Sequence, residues 1–260
     1  MDWDETNPTR WDVFCRNWYG WGRPDAHWWI LGIEPGVAQD EIVRCGSIAA
    51  ALECRGAAWA QLGASATVDY IGFHDLIKQR QWRRKFQPTW GKVLKVRDAA
   101  MANPAEGRLA RVIAAQENAA RLAEPPEAAV AYIDVWPLPN SNVSTWYGSL
   151  LQNAPAYLRD RVSYYGTIAP GRRQWLRDAL ATRPDGTVVV VAGQALAEEV
   201  RGHVVDRRAW DQPLEAALTG PDKFRIVQLP AGGVLLHMKQ GQLRDEYLEL
   251  LGERLSPYFR

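Results

Sequence analysis

The chain carries only three cysteines in 260 residues, Cys15, Cys45 and Cys54, with no CxxC spacing among them. An odd, scattered set excludes a disulfide framework and the usual zinc or iron–sulfur signatures, and it predicts reduced thiols in a cytoplasmic protein. No apolar run approaches the ~18 residues of a membrane span, so no membrane partner is expected. The opening stretch MDWDETNPTR is acidic and polar, so no secretory leader is expected there. The net charge is only +1, so the charge of the whole chain announces no nucleic acid, and only a local patch can. Neither GxGxxG nor GxxxxGKS/T occurs, which excludes the two common phosphate-cradling loops. Nothing in this pattern calls for a metal or a cofactor.

What is present is an ordinary globular composition, 47% hydrophobic and 23% charged, with an unusual 13 Trp. The sharpest stretch is Trp28–Gly36, WWILGIEPG. A short, wholly apolar run stopped by Pro and Gly reads as a buried strand ending in a loop. Glu34 then falls at the carboxyl end of that strand, where open α/β sheets place their ligands. Further strands are predicted at Ala128–Trp136 (AAVAYIDVW), at Thr187–Ala192 (TVVVVA), and at Phe224–Leu229 with a hairpin-like return through Val234–Leu236 to His237. Helical spacing appears at Trp11–Phe14–Trp18, across 38–64, across 98–124 and across 242–255. Pro170–Arg173 predicts a helix start before Gln174–Leu180, and arginines at such a start can hold a phosphate. Residues 203–220 read as polar and irregular. Alternating elements imply right-handed crossovers and a parallel core sheet. The expectation is one domain over residues 1–260, monomeric, with a helical and partly basic insertion at about 37–127.

That insertion contains Lys78–Arg97, KQRQWRRKFQPTWGKVLKVR, in which no acid interrupts the cations. Arg83, Arg84, Lys85 and Lys92 are its DNA-binding candidates, interleaved with Trp82, Phe86 and Trp90. Cations neutralise phosphates while aromatics stack on bases. A solvated basic helix face is the alternative.

Four of these motifs resemble the uracil-DNA glycosylase superfamily, one of them TVVVVA, which is similar to its third strand, with Gly193 at the turn that ends it. WWILGIEPG is similar to its first motif, a strand ending in GQDPY or GINPG, and aligns Glu34 with the catalytic Asp or Asn. AAVAYIDVWPLPNSN is similar to its second strand, which reads like NLVPRPT, and puts Asp134 where Asn is frequent. LLHMKQGQL is similar to its second catalytic motif, a strand ending in His, with His237 as that residue and Met238 in place of the usual Pro. The resemblance implies a three-layer α/β/α fold around a central, mainly parallel four-stranded sheet. It implies a monofunctional DNA glycosylase with Glu34 and His237 catalytic. Gly32, Ile33, Pro35, Gly36, Phe73, Asp134 and Asn140 would surround the base, and Met238, Lys239, Gln240 and Leu243 would lie in the loop that enters the DNA.

The chemistry fits those residue types. The nucleotide must leave the stack, which costs a few kcal/mol as an order of magnitude. A carboxylate stabilises the sugar cation, and a hydrogen-bond donor stabilises the departing base. Gly36, where uracil-specific members carry Tyr, leaves room at the pyrimidine C5 position. A carboxylate such as Asp134 can accept from a cytosine amino group. These features point to a bulky C5-modified cytosine of phage DNA, and so to anti-phage defence. Uracil repair and a binding-only protein are the alternatives. Phe73 also fits a core aromatic, Asn140 plain turn chemistry, and His237 a structural histidine.

Overall fold

A computed structural model describes residues 3–32, 39–77, 88–101, 129–138, 146–217, 223–238 and 245–259. The chain runs α1 (Thr9–Asn17), β1 (Gly20–Trp21), β2 (Trp28–Gly32), α2 (Gln39–Cys45), α3 (Ile48–Gln61), β3 (Thr67–Val68), α4 (Tyr70–Leu76), α5 (Pro88–Ala100) and β4 (Val130–Asp134). It continues with α6 (Arg161–Ala181), β5 (Val188–Ala192), α7 (Gln194–His203), α8 (Arg207–Asp211), β6 (Glu215–Ala217), β7 (Phe224–Gln228), β8 (Val234–Met238) and α9 (Asp245–Leu255).

The described strands form one mixed sheet of eight, in the order β3-β1-β4-β2-β5-β8-β7-β6. The expected sheet of four is therefore too small. Its four strands do sit together as β4-β2-β5-β8, all parallel. Antiparallel β7 and β6 extend one side, and β1, antiparallel to β4, carries β3 on the other. The added strands at one end, β1 and β3, have two residues each. Runs that short carry no periodicity to read.

Strand β2 is apolar throughout because both its faces are covered. Trp28 and Ile30 join a cluster with Trp11, Phe14, Trp59, Phe73, Leu94, Tyr132 and Leu251 from α1, α3, α4, α5, β4 and α9. Trp29 and Leu31 join another with Ile133, Leu176, Leu196 and Trp210 from β4, α6, α7 and α8. Each fully buried side chain of this kind contributes about 1.5–3 kcal/mol. The segment predicted as an insertion supplies most of the first layer and the short β3.

From β2 the chain passes to β4 on one side, and from β5 to β8 on the other. The carboxyl ends of β2 and β5 thus flank a topological switch point, the usual ligand position in such sheets. Among the described residues no helix is long and apolar enough to cross a membrane.

Helix α6 corrects the sequence reading. It starts at Arg161 and continues through Pro170 to Ala181, so the arginines at 172 and 173 lie mid-helix and make no phosphate-binding start. Proline costs a hydrogen bond inside a helix. Packing outweighs that loss, since Tyr164, Ile168, Ala169, Arg172, Leu176 and Leu180 are all buried along its length. Residues 203–220, read as irregular, contain α8, capped by Asp206 accepting from Arg208 N and Ala209 N.

Arg172 has a structural role. It is 2% exposed. Its guanidinium donates to the carbonyls of Cys15 (3.0 Å), Trp18 (2.8 Å), Asp134 (2.6 Å) and Val135 (2.5 Å). It lies 4.0 Å from the centre of the Tyr19 ring. We expect Arg172→Met to lower unfolding free energy by about 3–5 kcal/mol, because it strands buried acceptors. Arg172→Lys should recover part of that loss. Urea denaturation of both variants is the check.

Candidate functional site at the carboxyl edge of the sheet

Gly32 and Asp134, the last residues of β2 and β4, face each other in register. A Cβ on Gly32 would collide with the Asp134 carboxylate, so the glycine is what lets that acid come close. Asp134 is 7% exposed. Its backbone N–H donates to Tyr19 O at 2.7 Å, and Val135 N–H donates to Gly32 O at 2.9 Å. With Arg172 on the Asp134 and Val135 carbonyls, the edge between β2 and β4 is held from both sides.

His237 lies one residue before the end of β8, opposite Val191 of β5 and Arg225 of β7. Its ring centre is 5.6 Å from that of Trp210 on α8. The Arg225 guanidinium lies 5.3 Å from the Trp210 ring centre and donates to the Trp210 carbonyl. Burial, and then the Arg225 charge, push the His237 imidazole down from 6.5 to about 4. At neutral pH it is uncharged, with one N–H to donate and one nitrogen to accept.

The sheet places these groups on one edge without joining them. His237 belongs to β8 and Gly32 to β2, two strand spacings apart, about 10 Å, and Asp134 is one spacing further. Strand alternation puts Gly32 and Asp134 on the face of Trp28 and Ile30, and His237 on the face of Trp29 and Leu31. Met238 is on the first face and 1% exposed, packed in the core. Phe73 is fully buried, stacked on Trp18 at 6.0 Å and edge-on to Trp21 at 5.8 Å, which leaves it no open face for a base. Lys92 lies half-buried on α5. Ile33, Glu34, Pro35, Gly36, Arg83, Arg84, Lys85, Asn140, Lys239, Gln240 and Leu243 lie outside the described residues.

An aromatic group follows β4. Trp136 lies 4.7 Å from Tyr165, and Trp146 lies 4.7 Å from Tyr164, between ring centres. Arg173 sits 5.8 Å from the Trp136 ring centre and Arg161 5.4 Å from that of Tyr165. The density of aromatics and arginines in 144–178 was the available signal. The sequence does not reveal that they gather with Trp136, just after β4. Two clefts, of about 710 and 420 Å³, open elsewhere, against α7–α8 and against Trp29–Trp175. Among the described residues no cluster of three or more His, Cys, Asp or Glu could hold a metal ion.

No family model, no curated protein and no solved structure matches this chain.

Two measurements test this geometry. Gly32→Ala should lower stability by about 1–3 kcal/mol through the clash, and combining it with Asp134→Ala should return much of that loss in a double-mutant cycle. For His237 the folded value lies below the unfolded one, so the unfolded chain binds the extra proton. Stability is then full above about pH 6.5 and falls as pH drops towards about 4. The drop should be about 1–3 kcal/mol after allowance for solvent screening, and His237→Phe should flatten it.

Proposed function

We propose that this protein is a DNA N-glycosylase that hydrolyses the glycosidic bond of a flipped-out pyrimidine and leaves an abasic site. The observation that carries the reading is the shared carboxyl edge of parallel β2, β4 and β8. It presents Gly32, with Glu34 two residues further along the chain, together with Asp134 and His237. The Glu34 carboxylate stabilises the cationic sugar or orients the attacking water. A neutral His237 donates a hydrogen bond to the departing base. Asp134 accepts from an exocyclic amino group, which favours a cytosine over a uracil. Trp146 and Tyr165, both partly exposed, with Arg161, supply stacking and phosphate contacts after β4. The substrate is then a C5-modified cytosine, bulky as in phage DNA, and the role is defence.

A second reading, a DNA-binding protein of this fold without catalysis, is favoured by one observation. His237 packs against Trp210 on the sheet face opposite Asp134.

Base release followed by mass spectrometry separates them. The protein is incubated with uracil DNA, plain DNA and DNA carrying glucosylated 5-hydroxymethylcytosine. Release of the modified cytosine should fall at least ~100-fold in Glu34→Gln and by roughly 10–100-fold in His237→Phe. Release of uracil alone would move the substrate to repair. Binding without release from any DNA, unchanged in Glu34→Gln, would establish the second reading.

A further inference from the structure

We propose that Cys45 and Cys54 form a site of reversible oxidation, closing an intramolecular disulfide that staples α2 to α3. The two sulfur atoms are 3.7 Å apart, with the Cys45 thiol donating to Cys54. A disulfide is about 2.05 Å long, so closure needs a displacement of under ~2 Å shared between two side chains. Helix α2 ends at Cys45, and Gly46, at φ +85°, turns the chain into α3, which Ser47 caps by accepting from Ala50 N. The approach of the two helices is fixed independently one turn away. Glu41 and Arg55, both buried, form a two-pronged ion pair with contacts of 2.7 Å. The sulfurs therefore meet in a set geometry.

Access distinguishes this pair from the third thiol. Cys54 is exposed and Cys45 half-buried, whereas Cys15 is fully buried and its thiol is pushed up by that burial. Burial, then the hydrogen bond to Cys54, push the Cys45 thiol up to about 11, so Cys45 keeps its proton and Cys54 is the sulfur an oxidant meets first. With hydrogen peroxide as oxidant, the Cys54 thiolate attacks one peroxide oxygen. An S–O bond forms, the O–O bond breaks, and hydroxide leaves as water after taking a proton. Cys45 then gives up its proton as its sulfur attacks the sulfenic sulfur; the S–S bond forms, the S–O bond breaks, and the departing hydroxide takes that proton and leaves as a second water. Two thiols are oxidised and one peroxide is reduced. A dithiol reverses the reaction. Helix α2 starts at Gln39, five residues after Glu34 in the sequence, and the staple ties that helix to α3.

The test uses the full chain, reduced, desalted and treated with stoichiometric peroxide. Intact mass should fall by about 2 Da, and a digest should yield a peptide joining Cys45 to Cys54. The melting temperature should rise by about 5 °C and return with dithiothreitol. Cys45→Ser and Cys54→Ser should each abolish the mass loss, and Cys15→Ser should not. An unchanged mass, oxygen gained without the cross-link, or a cross-link between two chains would overturn the proposal. None of these readouts depends on glycosylase activity.

Discussion

Burying a cation costs several kcal/mol unless its donors are met, and the Arg172 guanidinium meets its cost with carbonyls. Four backbone oxygens, from the end of α1, the lead into β1 and the end of β4, converge on it. Burial lowers its pKa, and the nearby Tyr19, Tyr164, Cys15 and Asp134 oppose that shift. Without this group two stretches far apart in the chain, 15–18 and 134–135, would each leave polar atoms facing apolar core. With it, the end of β4 is set against Tyr19 and the carboxylate of Asp134 is brought over Gly32. The candidate site is thus a consequence of how the sheet edge is tied.

The pleat then decides what that edge can do. Residues at one level of neighbouring parallel strands share a face, and the next level belongs to the other. Gly32 and Asp134 are level with each other, whereas His237 is level with Val191, one step lower. The acid therefore looks towards the layer built by α3, α4, α5 and α9, and the imidazole towards Trp210. A catalytic reading has to bridge this division across the switch point between β2 and β5.

The α2–α3 hairpin and the aromatic group that follows β4 come from different parts of the chain. One is held by a buried ion pair with a thiol pair beside it. The other is held by ring contacts and stacked arginines.

The sequence by itself determined the parallel core. WWILG and VVVVA are apolar throughout, and VAYID is buried along its whole length with Asp134 its only charged residue, because both their faces are covered, and such composition is local and can be read without a partner. It also put His237 within one residue of the end of β8, whereas the strand read over Ala128–Trp136 spans only Val130–Asp134. Tertiary structure alone decided the two-residue strands, the passage of α6 through Pro170, the closure of Phe73 into the core and the turn of His237 towards Trp210. The physical reason is separation along the chain. Arg172 bonds Cys15 across 157 residues, and neither residue carries a local mark of the other. Pattern reports which face is apolar, but only packing reports what that face meets.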